Sequence, residues 1–376
     1  MTKVIQEVEK PKIPYDISLF DSMKIEFDMK LCTYVERFDD MRAYKDSSGE
    51  DWGDLKQRSW KIPYLHETIY YSTYSKQLKP KNAPIQHFDK VVILVNSKHQ
   101  NPDDYFKGVT KNVVLNILEF LREKGVIQFD CLHSVYKGCF VKDLDVKKDA
   151  LKSMSNRDND LEVMGRMKKY FDGDAQDCQH FRDTKVNGFG LQANHRKRST
   201  LSKPFEKMYD KGLELMTNSR SFYNLMSDKM QNHIALLYIL RREITLKNKP
   251  FFDHFGISNR LEDLFDVSQE KWNEVFTYYY QKNYGQFKPK RPDNGKMTPT
   301  DKLHALNMFE DFQENGRNMY YIREKYERSG NKKNRTGNRQ IVLFERIYHY
   351  VTQVHAKEIR DEIDEIQAWA KHMGWE

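Results

Sequence analysis

The residues best suited to chemistry fall in three short stretches. The first is Lys207-Met208-Tyr209-Asp210-Lys211-Gly212. A phenol between two lysines sits where positive charge stabilises a phenolate and attracts phosphate, which is what a tyrosine nucleophile needs to attack a phosphodiester. The surrounding span is basic as well: from Lys185 to Gly212, seven Lys or Arg (185, 196, 197, 198, 203, 207, 211) stand against two acids, Glu206 and Asp210. Arg196, Lys197, Arg198 and Lys207 are therefore candidates for contacts to a phosphate backbone. The chain holds 22 tyrosines, most of which pack, and Tyr209 stays open to that reading too.

The second stretch is Asp143-Leu144-Asp145, at the end of an expected strand. Alternate side chains of a strand share a face, so the two carboxylates would project together and repel unless a cation or proton lay between them. Mg²⁺ or Mn²⁺ is a suitable guest for such oxygens; a polar strand edge is the plainer alternative. The third stretch is Arg241-Arg242-Glu243-Ile244-Thr245, directly after the apolar Leu236 to Leu240. A carboxylate there is costly to bury unless paired or metal-bound, which leaves Glu243 as a third metal ligand or as the ion-pair partner of a neighbouring arginine.

Other chemistries lack their residues. There is no G-x-x-x-x-G-K-[ST] for nucleotide phosphates and no H-x-H pair; His87, His99, His180 and His195 stand singly. Cys32, Cys131, Cys139 and Cys178 have no C-x-x-C spacing and read as reduced thiols. Across 376 residues, 63 Lys+Arg against 55 Asp+Glu give a net charge of +8, a balance that suits nucleic acid. With 39% hydrophobic and 13% aromatic residues the chain has the material for a core. No membrane-length apolar window occurs and Met1-Thr2-Lys3-Val4 opens no signal peptide, so a cytoplasmic protein without a membrane partner is expected.

The elements that must position these residues follow from periodicity. Loose alternation over 14–35, the β-rich 61–75 and the apolar run 91–95 read as strands. Residues 110–124 place apolar side chains at i, i+3, i+4 and i+7, a helix with Thr110 as N-cap and Gly125 as its stop. Strands are expected over 126–129, 134–146 and 234–246, and helices over 149–171 and 208–223. The fold class is α+β: an antiparallel or mixed sheet with packed helices, then a smaller helical C-terminal region. The division is a tail at 1–13, a domain at 14–285, a basic linker at 286–297 and a helical, DNA-binding region at 298–376. Within the last, the loop 329–339 offers Lys332, Lys333, Arg335 and Arg339 to backbone phosphate.

In their order the three stretches resemble the phage and plasmid rolling-circle replication initiators of the gene II/X type and, more distantly, the Rep-trans plasmid initiators. The matching segments also include Leu19-Phe20-Asp21-Ser22, Val95-Asn96-Ser97-Lys98, Tyr105-Phe106-Lys107-Gly108-Val109-Thr110 and Val141 to Val146, so the resemblance spans about 15–270. It implies a nicking and closing endonuclease: Tyr209 attacks the origin strand and forms a covalent 5′-phosphotyrosine, with Lys211 beside the phosphate or phenolate. It further implies that Asp143, Asp145 and Glu243 hold Mg²⁺ or Mn²⁺ as a Lewis acid. Implied partners are double-stranded origin DNA, single-stranded DNA, a host polymerase and a helicase, with room for a homodimer; a phage-encoded chain would act in the host cytoplasm. Two other readings stand beside it, a non-catalytic origin-binding protein and a metal-dependent nuclease that uses water. The tyrosine mechanism demands that the Tyr209 hydroxyl be accessible and face the three carboxylates.

Overall fold

The alternating apolar residues of the first third do become strands, and the charged strands that follow extend their sheet. The structure, a computed structural model, describes residues 13–31, 33–34, 42–43, 57–74, 90–170, 178–180, 190–284, 299–316, 318–328, 341, 344 and 356–374. In chain order the strands are β1 (Ser18–Asp28), β2 (Thr33–Tyr34), β3 (Arg42–Ala43), β4 (Gln57–Tyr64), β5 (Glu67–Tyr74) and β6 (Lys90–Asn96). They continue with β7 (Ile127–Gln128), β8 (Phe140–Lys152), β9 (Cys178–His180), β10 (Gly190–Ala193), β11 (Glu206–Asp210) and β12 (Tyr238–Lys247). The helices are α1 (Lys111–Glu123), α2 (Leu132–Lys137), α3 (Arg157–Tyr170), α4 (Lys211–Thr217), α5 (Arg220–Tyr223) and α6 (Asp228–Ala235). After them come α7 (Asn248–Phe255), α8 (Leu261–Leu264), α9 (Gln269–Tyr284), α10 (Pro299–Glu314), α11 (Met319–Arg328) and α12 (Ala356–His372). The fold is α+β, with a helical C-terminal part as expected.

Two units interleave along the chain. One takes Met1–Lys152, Ser199–Leu201 and Asp210–Val275; the other takes Ser153–Arg198, Ser202–Tyr209 and Phe276–Glu376. In the first, antiparallel strands run in the order β3-β4-β5-β6-β1-β8-β12. One sheet face is apolar: Phe20 and Ile244 both stand opposite Val146, and Phe20 meets Phe265 and Trp272 edge-on at 5.4 and 5.6 Å. Helix α1 adds Val113, Val114, Ile117, Leu118 and Leu121 to the core, each worth about 1.5–3 kcal/mol of burial. Thr110 caps it by accepting from the Val113 N–H, and Gly125 follows with φ +72°.

The other face carries charge. Arg241 lies opposite Asp149, Glu243 opposite Lys147, Thr245 opposite Asp145 and Lys247 opposite Asp143. Two register shifts re-aim this face: Asp21 is the extra residue on β1 between Phe20 and Ser22, and Lys142 the extra residue on β8 between Val141 and Asp143.

The strand expected from 234 starts at Tyr238, after α6, and three further boundaries move. Residues 132–137 are helix α2, not the start of the strand, because packing of the buried Val135 and Tyr136 overrides their β propensity. The strand then runs on to Lys152, through 149–152 where a helix was expected. A charge run reads as a solvated helix face, but Lys147 and Asp149 find partners on β12 and stay in the ladder. Finally, 206–210 is strand, and the helix expected from 208 begins at Lys211, where Asp210 caps it by accepting from the Leu213 N–H.

In the second unit the order is β11-β10-β9, antiparallel. Trp369 on α12 donates its indole N–H to Asp160 on α3 at 2.8 Å, and Met308, Phe312, Ile322, Ile341 and Phe344 form an apolar cluster. Among the described residues no helix is long and apolar enough to cross a membrane.

Candidate active site

Tyr209 sits in the second unit near the end of β11, paired in register with Gly190 of β10. The pairing needs a glycine: a Cβ at 190 would lie 2.5 Å from the Tyr209 Cβ and 2.5 Å from the Met208 carbonyl oxygen. The Lys207 ammonium lies 5.6 Å from the centre of the Tyr209 ring and 5.7 Å from that of Phe205, within cation–π reach. At the other end of the β10–β11 hairpin the connection bears Arg196, Lys197 and Arg198, all exposed, in one turn of 3-10 helix. A polar chain fixes this hairpin to α9. Asn194, with φ +61°, donates to the Pro204 carbonyl and to Asn283 Oδ1, each at 2.8 Å, and Asn283 donates to the buried Glu206 at 3.1 Å. Tyr209 itself is buried, 4% exposed. The residue is therefore not exposed as an accessible nucleophile would be.

Lys211 and the three carboxylates belong to the first unit. Lys211 does not present its ammonium to solvent: it is buried, paired with Glu214 at 2.5 Å, and lies 5.1 Å from the centre of the Tyr105 ring. Burial opposes its charge most strongly, yet Glu214, Tyr105 and Asp21 together outweigh burial and Arg241 and hold the amine above its ordinary value. Burial would raise Glu214 in turn, but Lys211 and the Ser219 hydroxyl hold it below the usual carboxylate range.

This pair borders a larger buried cluster. The Arg241 guanidinium grips Asp149 through Nε and Nη2 at 2.7 and 2.8 Å, and its Nη1 donates to Asp21 at 3.0 Å and to the Tyr105 hydroxyl at 3.1 Å. Ser97 donates to the same Asp21 oxygen at 3.0 Å. Lys147 donates to the Phe106 carbonyl at 3.0 Å and lies 3.7 Å from Asp149. Burial, helped by Arg241, pushes Lys147 down to about 7 against the pull of Asp149 and Asp21. Burial works to raise Asp149, but Arg241 and Lys147 prevail and hold it below its ordinary value. Burial and the Asp21 charge push the Tyr105 phenol up. Segments on which the resemblance rests, around Asp21, Ser97, Tyr105, Lys211 and Arg241, thus come together in one polar cluster.

The three proposed metal ligands do not converge in this way. Both oxygens of Asp145 accept hydroxyl hydrogen bonds, from Ser22 at 2.5 Å and Thr245 at 2.6 Å. Asp143 has Lys24 and Lys247 as its cross-strand neighbours, and Glu243 has Lys147. Among the described residues no three His, Cys, Asp or Glu side chains are grouped as a metal ion requires. As arranged, these carboxylates are built into hydroxyl and cation neighbourhoods. Lys332, Lys333, Arg335 and Arg339 lie outside the described residues, as do the linker at 286–297 and the tail through residue 12.

The Arg241 stretch stood out in the sequence, with Glu243 open either as a metal ligand or as the partner of a neighbouring arginine; the structure pairs Arg241 with Asp149, a residue expected on a helix. The role of Gly190 as the small residue facing Tyr209 depends on a strand register that no local pattern encodes.

No protein-family model and no curated protein matches the chain. Among solved structures, it is similar to a rolling circle replication initiator protein from Geobacillus stearothermophilus, at 9% identity over 74% of this chain and 89% of that one, with a TM-score of 0.35.

Proposed function

We propose that the chain is a replication initiator of the rolling-circle kind, which nicks one strand of origin DNA through Tyr209. The observation that carries this reading is the setting of Tyr209: a phenol near a strand end with the Lys207 ammonium 5.6 Å from its ring, on a hairpin whose turn exposes Arg196, Lys197 and Arg198. Phosphate would be drawn to that turn, and the cation favours the phenolate. In the step itself Tyr209 gives up its phenolic proton and its oxygen bonds to phosphorus. The bond from phosphorus to the 3′ oxygen breaks, and that oxygen takes up a proton. A 5′-phosphotyrosine and a free 3′-OH result, the latter an end that a host polymerase can extend. Reversal rejoins the strand without a nucleotide cofactor. Because Tyr209 is 4% exposed, the reaction requires its hydroxyl to be uncovered first.

The test is incubation with supercoiled plasmids carrying candidate origins, followed by a search for denaturant-resistant protein on a 5′ end. Tyr209→Phe is expected to abolish nicking and leave DNA binding within about twofold; a variant that still nicks overturns the tyrosine mechanism. Divalent-ion dependence is a separate expectation, since Asp143, Asp145 and Glu243 are not grouped as a metal ion requires, and the same assay with EDTA decides it: unchanged nicking removes the metal.

A second reading is favoured by two observations, the burial of Tyr209 and the engagement of Asp145 by two hydroxyls. Under it the protein binds origin DNA without cutting it, and wild-type protein yields binding but no covalent adduct.

A further inference from the structure

We propose that Leu65, at the tip of the β4–β5 hairpin, is a wedge that enters the base stack where paired DNA meets unpaired DNA. It rests on the reading above only in taking DNA as the partner, and it does not involve Tyr209. The two strands pair without a break from Gln57 and Tyr74 to Tyr64 and Glu67, so Leu65 and His66 are the whole connection. Of these two only Leu65 has a positive φ, +52°, the pattern of a type II′ turn, whose first position ordinarily goes to glycine. The other non-glycine residues with positive φ among those described are Asp16, Asn194 and Asn248, types that tolerate it. A leucine there is strained, and burial does not repay the strain, because the residue is 67% exposed. Neither the turn nor the core asks for an apolar residue at this position, and an outlier of this kind points to function.

The tip is also braced. Tyr64 meets Phe120 of α1 at 4.7 Å and His99 at 6.0 Å, and His66 packs on Phe222 at 5.2 Å. His99 bridges two segments: its Nδ1 accepts from the Asn96 N–H and its Nε2 donates to the Thr68 carbonyl, both at 3.1 Å. Cations accompany the tip. Lys98 lies 5.2 Å from the centre of the Phe222 ring that His66 covers, and Lys61 lies 5.6 Å from that of its cross-strand partner Tyr70, itself 37% exposed. The acid at the tip, Glu67, is turned back to accept from the Thr68 N–H. A rigid apolar point with ammonium groups and an exposed ring behind it matches unstacked bases flanked by phosphates. An initiator has use for such a point, since opening the duplex frees the strand to be cut.

The experiment uses the full chain and two probes of one sequence, a fully paired duplex and a forked duplex, each with 2-aminopurine at the junction position. Wild-type protein should bind the fork about tenfold more tightly than the duplex, the ratio expected from one added stacking contact, and should raise the 2-aminopurine emission. Leu65→Gly should lose that preference and that emission change, keep its duplex affinity and melt at an equal or higher temperature. Leu65→Phe should retain the preference. If Leu65→Gly prefers the fork as wild type does, the wedge is overturned. Wild-type protein that binds both probes equally overturns the wedge alone. Protein that binds neither overturns DNA as the partner and the wedge with it. A changed sedimentation coefficient for Leu65→Gly with unchanged fork preference reassigns the tip to a protein contact and also overturns the wedge.

Discussion

Arg241 ties together three parts of the first unit, because one guanidinium reaches β8 through Asp149, β1 through Asp21 and the 102–107 turn through Tyr105. Such a residue is all or nothing. Intact, the cluster gains from charge-assisted geometry what it loses in desolvation; with one partner removed, the other is a buried charge without compensation. Arg241→Met is therefore expected to cost about 3–5 kcal/mol, and Asp149→Asn a similar amount. The double variant Arg241→Met with Asp149→Leu should recover part of the loss, since an apolar pair avoids the buried charge. Urea unfolding of the three proteins checks this, and strictly additive losses would refute the coupling. Little of it was legible in the sequence. Arg241 was marked by its place after an apolar run, but its partner lies 92 residues away on a strand whose charges look solvated. Pair identity at that distance is set by register, and register is a property of the sheet rather than of either segment.

Where the sequence spoke clearly about elements, the signal was local and self-contained. The Thr110 cap, the apolar spacing of α1 and the stop at Gly125 lie within one stretch of chain, so nothing distant could overrule them. The β10–β11 hairpin is the opposite case. Its charged turn was readable as a basic run, but Tyr209 fell where β character over 184–209 overlapped a helix expected from 208, because the segment that makes it a strand is β10 and the residue that admits it is Gly190. That gives an element-scale expectation. In Gly190→Val the new Cβ would meet the Met208 carbonyl, a backbone atom that yields only if the strands part. Overpacking of this kind costs about 1–3 kcal/mol. The hairpin should then open to trypsin faster at Arg196, Lys197 and Arg198 than in wild type, while the helical spectrum of α1 in the first unit stays unchanged. Gly190→Ala should fall between the two, and wild-type cleavage kinetics in Gly190→Val would show that the close approach does not hold the strand.

At the scale of the molecule, buried charge makes the stability of the first unit depend on pH from several directions. His99 is held neutral by burial below its ordinary 6.5, so the unfolded chain takes up a proton first as pH falls, and stability declines below about 6.5. Asp149 and Glu214 have folded values below 3.8 and 4.5, so their contribution is present above those values and is lost as the solution is acidified through the folded ones. Lys211 works from the alkaline side: raised above 10.5, it contributes fully below that value and is lost only at higher pH. Lys147 is the group that acts in the middle. Its folded value of about 7 against an ordinary 10.5 means that between those limits the unfolded chain binds a proton that the folded chain refuses. Stability from this residue therefore rises with pH from about 7 to 10.5 and is flat below 7. Lys147→Met keeps the apolar stem and removes the titrating amine, so the variant should lose the upward slope between pH 7 and 10 while retaining the acid-side decline set by His99, Asp149 and Glu214. Urea midpoints taken across that range for the two proteins decide the matter: parallel curves would mean that Lys147 is charged in the fold at neutral pH and that the cluster around Arg241 and Asp149 holds a full extra positive charge.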